Sequence, residues 1–293
     1  MAAVTVGGAI RASFGNVPTA WRRSGPALFA LVVAAGATQL ARLAPPPQSA
    51  LLALLGGLIQ QMLQIMAIGA IYRVALVPYH PRDPDYRVDS GGIQWSGIEW
   101  RVLASGPLVG LLVGFIGFLL AVVWGIALGA TVGAAGGDLS ALQEMRRGGL
   151  ASLQAFVRLM SGPAGIISAL VLFPSLVLLT WLGGRLSLLA IRAADTATLD
   201  MGAAWRLSRG VTWALVVGLV VTFIVTLAAS SLTGGALGLA AAAVPPPAAA
   251  KAAVYASVGG MIAAAIRVPL VTGLLSYVYL GLKGDVAIAD TFA

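Results

Sequence analysis

The chain has 293 residues, of which 59% are hydrophobic and only 10% are charged, and it contains no cysteine. An ordinary soluble domain carries about 25% charged residues, so this composition excludes a soluble globular protein and predicts an integral membrane protein. The lack of cysteine excludes disulfides, thiolate metal sites and a cysteine nucleophile. The net charge is +8, but the basic residues stand singly at the ends of apolar runs, which argues against nucleic-acid binding.

Six apolar runs along the chain are each close to the ~20 residues that a bilayer core requires. An amphipathic segment at residues 1–24, which Pro18 interrupts, comes before the first run and is predicted to lie at the membrane surface. The predicted spans are 26–43, 50–72, 108–128, 164–182, a fifth that begins near 211, and 262–282.

The segments between these spans are short, with two exceptions. Residues 73–101 are the most polar stretch, and Pro78, Pro81 and Pro84 predict a turn-rich loop that leads into a short helix. Residues 138–158 predict one or two short amphipathic helices. Within span four, Pro174 predicts a kink.

A Trp-Arg pair stands before three of the apolar hairpins, at Trp21, Trp100 and Trp205. One reading is a single domain built from three hairpin units, about 1–78, 79–192 and 193–293. The alternative is that any multi-span protein places tryptophan and arginine at its cytoplasmic boundary. In either case the predicted interfacial anchors are Trp21, Trp100, Trp205, Arg206 and Arg209.

The distribution of basic residues predicts the topology. If the N-terminus is cytoplasmic, twelve basic residues, among them Arg73, fall on the inside and five fall outside, with Arg267 left within a span. Positive charge therefore favours six helices with both ends in the cytoplasm. The fold class expected is an all-α polytopic protein of a bacterial inner membrane, with six transmembrane helices as three hairpins and short interfacial helices on the cytoplasmic side.

The stretch AAWRLSRGVTWALVVG at residues 203–218, a short helix followed by a Trp-Arg-Leu-Ser-Arg-Gly turn and a span, is similar to a known pattern. It resembles bacterial six-helix inner-membrane proteins of the glycerophosphoryl diester phosphodiesterase membrane-domain and YciC-like kind. The resemblance covers residues 172–217 well and the rest only by helix count. It implies a membrane domain of poorly defined role. Some relatives carry a fused phosphodiesterase, which these 293 residues lack, so hydrolysis is not expected.

Arg267 is the sharpest candidate site residue, because a charge within a span is costly unless it has a partner or reaches the interface. It lies about five residues from the outer end of predicted span six, from which an arginine side chain can reach the headgroups. Gln60 and Gln64 share one face of span two, and Thr272 and Ser276 share one face of span six. These side chains either contact a substrate or lipid in a common cavity or bond neighbouring helices.

No catalytic, cofactor or metal residues are predicted. The loop around His80 holds two aspartates, but a metal site needs three or four convergent ligands, and a solvated loop is the favoured interpretation. No Gly-x-Ser-x-Gly context accompanies His80.

The expected function is therefore a non-enzymatic scaffold, accessory subunit or lipid-interacting membrane module. The expected partners are membrane lipids, with a membrane-protein partner or a second copy of the chain as further candidates. The alternative function is a small transporter with a polar path through spans two and six.

Overall fold

The computed structural model describes residues 4–45, 47–134, 163–241 and 248–283, and within these ranges the protein is helical, with no β-strand. Short 3₁₀ turns lie at Ala41–Leu43, Pro84–Tyr86 and Ser90–Gly92. The α-helices are α1 (Val6–Leu40), α2 (Gln48–Leu76), α3 (Gly97–Ala134), α4 (Pro163–Leu186), α5 (Leu189–Thr196), α6 (Met201–Leu207), α7 (Thr212–Ala241) and α8 (Ala248–Lys283).

Five helices in the described ranges are long and apolar enough to cross a membrane, namely those over Gln48–Leu76, Gly97–Ala130, Gly165–Thr196, Thr212–Thr233 and Ala253–Lys283. The protein therefore has the make-up of a multi-pass α-helical membrane protein. Helix α1 is not one of the five, so the six-span layout and its three hairpins stay predictions. The helices predicted for 138–158 lie outside the described residues.

Prolines shape these helices differently from the sequence prediction. Helix α1 continues through Pro18, and its backbone leaves the helical region only at Ser24 (φ −125°, ψ 23°), two residues before Pro26. Pro174 lies inside α4 and does not end it, and the kink predicted there stays a prediction. A proline removes one backbone hydrogen bond, and a helix embedded among apolar neighbours tolerates that loss more readily than a break exposing several polar groups.

The structure confirms that the polar stretch after α2 is a turn-rich loop. The separate short helix predicted to follow it is absent. Residues that were predicted to form that helix are the first turns of α3, which runs as one 38-residue helix from Gly97 to Ala134. Pro107, which would be expected to end or kink a helix, lies inside α3, so the helix does not end before Leu108.

By contacts the chain forms two compact units. The smaller unit is Leu108–Gly183, and it presents large exposed apolar side chains such as Leu111, Phe118 and Phe173. The larger unit joins Met1–Pro107 with Gly184–Ala293 and is the one that positions the candidate site.

In the larger unit the first and last helices lie side by side and antiparallel. Three polar side chains on α1 donate to backbone carbonyls of α8, and rising numbers on one helix meet falling numbers on the other. The bonds are Ser13 Oγ to Leu270 O (2.6 Å), Asn16 Nδ2 to Pro269 O (2.8 Å) and Trp21 Nε1 to Ala265 O (3.1 Å).

The bond from Trp21 replaces a backbone hydrogen bond that is missing in α8. Pro269 has no N–H, so the carbonyl of Ala265 lacks its normal intrahelical donor. Trp21 donates to that carbonyl instead. Asn16 can approach the same turn because residue 273 is glycine, where an added Cβ would lie 2.5 Å from the Asn16 Cβ.

The exposed surface of the larger unit changes in chemistry along its length. On α1 the exposed side chains before the kink include Arg11, Arg22 and Arg23 together with Phe14, and those after it include Phe29 and Val33. We call residues 4–24, 67–107, 184–211 and 268–283 the cap. The buried core of the cap draws on all four segments, with Ala9, Tyr72, Ile98, Ile191, Leu274 and Val278 among its members.

The remainder of the larger unit is the apolar-faced part. On α2, Leu58, Ile59 and Met62 are exposed, whereas no residue from 63 to 76 is. On α7, Val217 and Phe223 are exposed. Exposed apolar side chains of this kind are typical of helices that face lipid. The cap segments of the same helices are instead covered by protein.

Candidate functional site

A cavity of about 390 Å³ lies among α1, α2, α7 and α8 at the junction of the cap and the apolar-faced part. We call it the groove, because it is partly open to the outside. Its polar lining residues are Gln60, Gln64, Thr222, Arg267 and Thr272. Its apolar lining residues include Leu31, Ile68, Leu219, Phe223, Val268 and Val271.

The groove brings together four of the five candidate contact residues. Arg267 is exposed, Gln60 and Gln64 are half-buried, and Thr272 is buried. Ser276 is not among the groove's lining residues; it lies one turn further along α8, fully buried. The predicted stripe on α8 leaves the groove because that part of the helix packs inside the cap.

The threonine hydroxyls of the groove donate to their own helices. Thr222 Oγ1 bonds Leu219 O at 2.8 Å, and Thr272 Oγ1 bonds Val268 O at 2.6 Å. Their oxygen atoms can therefore accept but do not donate. The hydrogen-bond donors that a ligand would meet are the Arg267 guanidinium and the two glutamine amides.

Arg267 does not lie near the beginning of its helix, because α8 begins at Ala248 instead of near residue 262. Its distance from the outer membrane surface stays a prediction. The bond from Trp21 to Ala265 fixes the height of Arg267. Two residues of helix correspond to about 3 Å, so Arg267 lies about 3 Å along the helix axis from the level of Trp21. Because the two helices are antiparallel, Arg22 and Arg23 lie about 4.5–6 Å from the level of Arg267. Its cation is at the boundary between the cap and the apolar-faced part.

No carboxylate lies within ion-pair distance of Arg267 in the part of the chain that the structure describes. The groove lining contains no aspartate or glutamate. It therefore carries one uncompensated positive charge beside an apolar wall.

The predicted interfacial anchors have different surroundings. Trp21 is half-buried and bonds α8, whereas Trp100 is 60% exposed. Trp205 is half-buried, with the Arg185 guanidinium 4.9 Å from its ring centre. Arg206 and Arg209 are exposed. Their role as anchors stays a prediction.

Sequence reasoning missed a charged cluster in the cap centred on Asp195. This aspartate is at the end of α5, and its side chain is only 2% exposed. One carboxylate oxygen bonds His80 Nε2 at 2.8 Å. The other accepts from the Tyr279 hydroxyl and, at 2.7 Å, from Lys283 Nζ. The cluster joins the loop after α2, α5 and the end of α8.

Tyr86 extends the same cluster. Its ring stacks on His80 with 4.1 Å between centres, and its hydroxyl donates to Ala194 O at 2.7 Å. Burial raises the pKa of Tyr86, and the Asp195 charge adds to that effect. The hydroxyl therefore stays protonated and donates throughout the physiological range. The loop, predicted to be solvated, is thus held to α5.

A second missed feature is a fully buried ion pair. Arg73, near the end of α2, donates to Glu99 on the first turn of α3, and both side chains are 0% exposed. Arg73 also donates from Nε to Asp85 O and from Nη2 to Ser96 Oγ, each at 2.8 Å. Gly69 makes room for the glutamate, since a Cβ there would collide with Glu99 Oε1. Arg73 had been counted among the charges of the cytoplasmic loop.

The residues of these two clusters are distant in sequence, and no local pattern marks them. The one available signal was Glu99, which with Arg101 is one of the two charged residues among the 38 residues of α3. Among the described residues no three His, Cys, Asp or Glu side chains are placed to hold a metal ion. In the Arg73–Glu99 pair, the buried Arg73 Nη1 and Glu99 Oε1 atoms have no hydrogen-bond partner among the described residues. The polar groups of both clusters face each other, whereas the groove presents its polar groups to a ligand.

Fold and site together define the class: a helical, multi-pass membrane protein with a packed cap and a groove at its base. Within that class, no protein-family model, curated protein or solved structure matches this chain.

Proposed function

We propose that this protein is a non-enzymatic, lipid-interacting module of a bacterial inner membrane, and that a membrane lipid binds in the groove. The observation that carries the proposal is the position of the groove, at the boundary between a packed cap and the apolar-faced part. A ligand at this height meets both the headgroup region and the hydrocarbon region of a bilayer.

In the proposed arrangement the apolar-faced part lies in the bilayer and the cap lies in the cytoplasm. The second part of α1, residues 25–40, then forms a sixth span beside the five long apolar helices. In α8 the membrane segment is 248–266, which is 19 residues or about 28 Å, close to the thickness of the hydrocarbon core. Exposed Arg22, Arg23 and Arg209 then lie on the cytoplasmic side, as the positive-inside rule requires.

The walls of the groove support a lipid over a soluble ligand. Leu31, Ile68, Leu219 and Val271 line it. Phe223, which also lines it, is 59% exposed on the side of α7. A lipid can enter sideways from the bilayer along this surface, and its chain can lie against apolar side chains.

The resemblance of residues 172–217 to the glycerophosphoryl diester phosphodiesterase membrane-domain and YciC-like proteins is part of this proposal. It supports a six-helix inner-membrane domain and does not extend to hydrolysis.

Photocrosslinking tests lipid binding directly. The purified full chain in nanodiscs is exposed to a phospholipid with a diazirine in its acyl chain, and the labelled peptides are identified by mass spectrometry. We expect label on α2 and α8 beside the groove. Ala263→Trp, which fills the groove, lowers that label several-fold.

Ala256→Trp is the matched control, because Ala256 lies two turns earlier on the same face of α8 and does not line the groove. Equal labelling of the wild type and Ala263→Trp, with both folded, would contradict lipid binding in the groove. The proposed orientation predicts that a reporter fused after Thr291 is cytoplasmic, and an exported reporter would overturn it.

A small transporter is the second candidate. It is favoured by Gln60 and Gln64, which place amides in the apolar-faced part on the same groove as Arg267. A path for a polar substrate needs such groups away from the boundary.

Cysteine labelling distinguishes lipid binding from transport, because the chain has no cysteine of its own that would react. A single cysteine at Gln64 in sealed vesicles reacts with a water-soluble maleimide from both sides if access alternates. A lipid-filled groove protects this cysteine from both sides.

A further inference from the structure

We infer that the groove selects a lipid with an anionic headgroup, and that Arg267 is the residue that binds it. This inference rests on the proposed lipid-binding function and specifies the chemistry of the ligand. Three features of the groove carry it: an uncompensated charge, the height of that charge, and the apolar wall beside it.

The charge of Arg267 has no counterion within the described ranges, and neither do those of exposed Arg22 and Arg23. The cations packed within the cap differ in this respect. Arg73 has Glu99, and Lys283 has Asp195. A guanidinium next to an apolar surface is stabilised by an anion that accepts two of its hydrogen bonds, as phosphate does. The ligand therefore supplies the negative charge that the groove lacks.

The height of Arg267 matches a headgroup. It lies within about 6 Å, along the helix axis, of exposed Arg22 and Arg23. Those two arginines are followed on α1 by exposed Phe29 and Val33. These two arginines attract anionic lipids in general but do not line the groove. Arg267 is the basic residue among the groove's lining residues, so it alone of the three can combine charge recognition with contact to the chain of the same lipid.

The apolar lining of the groove favours a ligand that also has a hydrocarbon chain. Ile68, Leu219, Val268 and Val271 present hydrocarbon, and the threonine hydroxyls direct their protons to backbone carbonyls. A free phosphate or other small anion would leave this wall uncovered. An anionic lipid covers it, at roughly 25 cal/mol for each Å² of apolar surface removed from water.

Competition between defined lipids tests the inference. The wild-type chain in nanodiscs is labelled with a photoreactive phosphatidylglycerol, which carries one negative charge, or with the matched zwitterionic phosphatidylcholine. We expect about tenfold stronger labelling of the groove by phosphatidylglycerol. In Arg267→Gln the two lipids label within about twofold of each other, and Arg267→Lys keeps part of the preference.

Arg22→Gln is the control, since it removes an exposed cation that lies about 4.5 Å from Arg267 along the helix axis and does not line the groove. Arg22→Gln should keep the full preference. If Arg267→Gln keeps it too, or if Arg22→Gln loses it equally, selection by Arg267 is refuted.

The commitment to a lipid is tested separately. Excess glycerol phosphate, the soluble headgroup, should not displace the label, and full displacement would show that a soluble anion is the ligand. Failure of the proposed function gives a different result, because then neither lipid labels the groove even in the wild type.

Discussion

Replacing Glu99 tests the most deeply buried charge pair in the cap. Glu99→Gln keeps the shape of the side chain but removes the negative charge that faces the Arg73 guanidinium. Both side chains are fully buried, and Arg73 would retain only neutral acceptors at Asp85 and Ser96. Removal of one partner from a buried pair typically costs about 3–5 kcal/mol, and the remaining acceptors place the expected loss near the lower end.

The assay is reversible unfolding of the purified protein in mixed micelles of dodecyl maltoside and SDS, followed by tryptophan fluorescence. The single variants Arg73→Met and Glu99→Met, with the double variant that carries both changes, form a thermodynamic cycle. We expect the double variant to lose less stability than Glu99→Gln alone, because no buried charge is left unpaired.

Arg206→Gln, which removes the exposed pair with Asp200 at 3.9 Å, is the control and should change little. A loss below about 1 kcal/mol for Glu99→Gln, or a double variant less stable than either single one, would show that the pair does not contribute in this way.

Two further replacements address other contacts of the cap. Asp195→Asn weakens the acceptor for Lys283, so backbone amides in α5 and at the end of α8 should exchange with deuterium faster than in wild type; unchanged exchange would show that the carboxylate does not hold these segments together. Trp21→Phe leaves the Ala265 carbonyl without a donor and should lower the free energy of unfolding by about 1–2 kcal/mol. Adding Pro269→Ala, which returns an N–H to α8, should recover part of that loss in the same micelle titration, and no recovery would argue against the repair by Trp21.

Composition was sufficient to predict the membrane class, and the prolines after α2 were sufficient to predict a turn-rich loop. The ends of the long helices were not predictable in this way. Residues 268–283 of α8 are as apolar as a transmembrane span, yet they are apolar because they form the core of the cap. Hydropathy measures transfer out of water and does not distinguish a lipid environment from a protein interior.

Part of the candidate site could be predicted from the sequence. Gln60, Gln64, Arg267 and Thr272 were recognised because polar side chains are rare in apolar runs. Ser276 gave the same signal but packs inside the cap. The partners of Asp195 are His80, Tyr279 and Lys283. They are distant from Asp195 in sequence, and only the folded arrangement of the helices brings them together.

The antiparallel pairing of α1 with α8 also sets an order of assembly during synthesis. Asn16 donates a hydrogen bond to the carbonyl of Pro269, which is synthesised 253 residues later in the chain. At about 5–20 residues per second, α1 is made roughly 13–50 s before its main partner exists. Until then the donors of Ser13, Asn16 and Trp21 lack their native acceptors, so the cap closes only after α8 has been synthesised. A chain that stalls before α8 therefore leaves these three polar side chains of its first helix without their native partners.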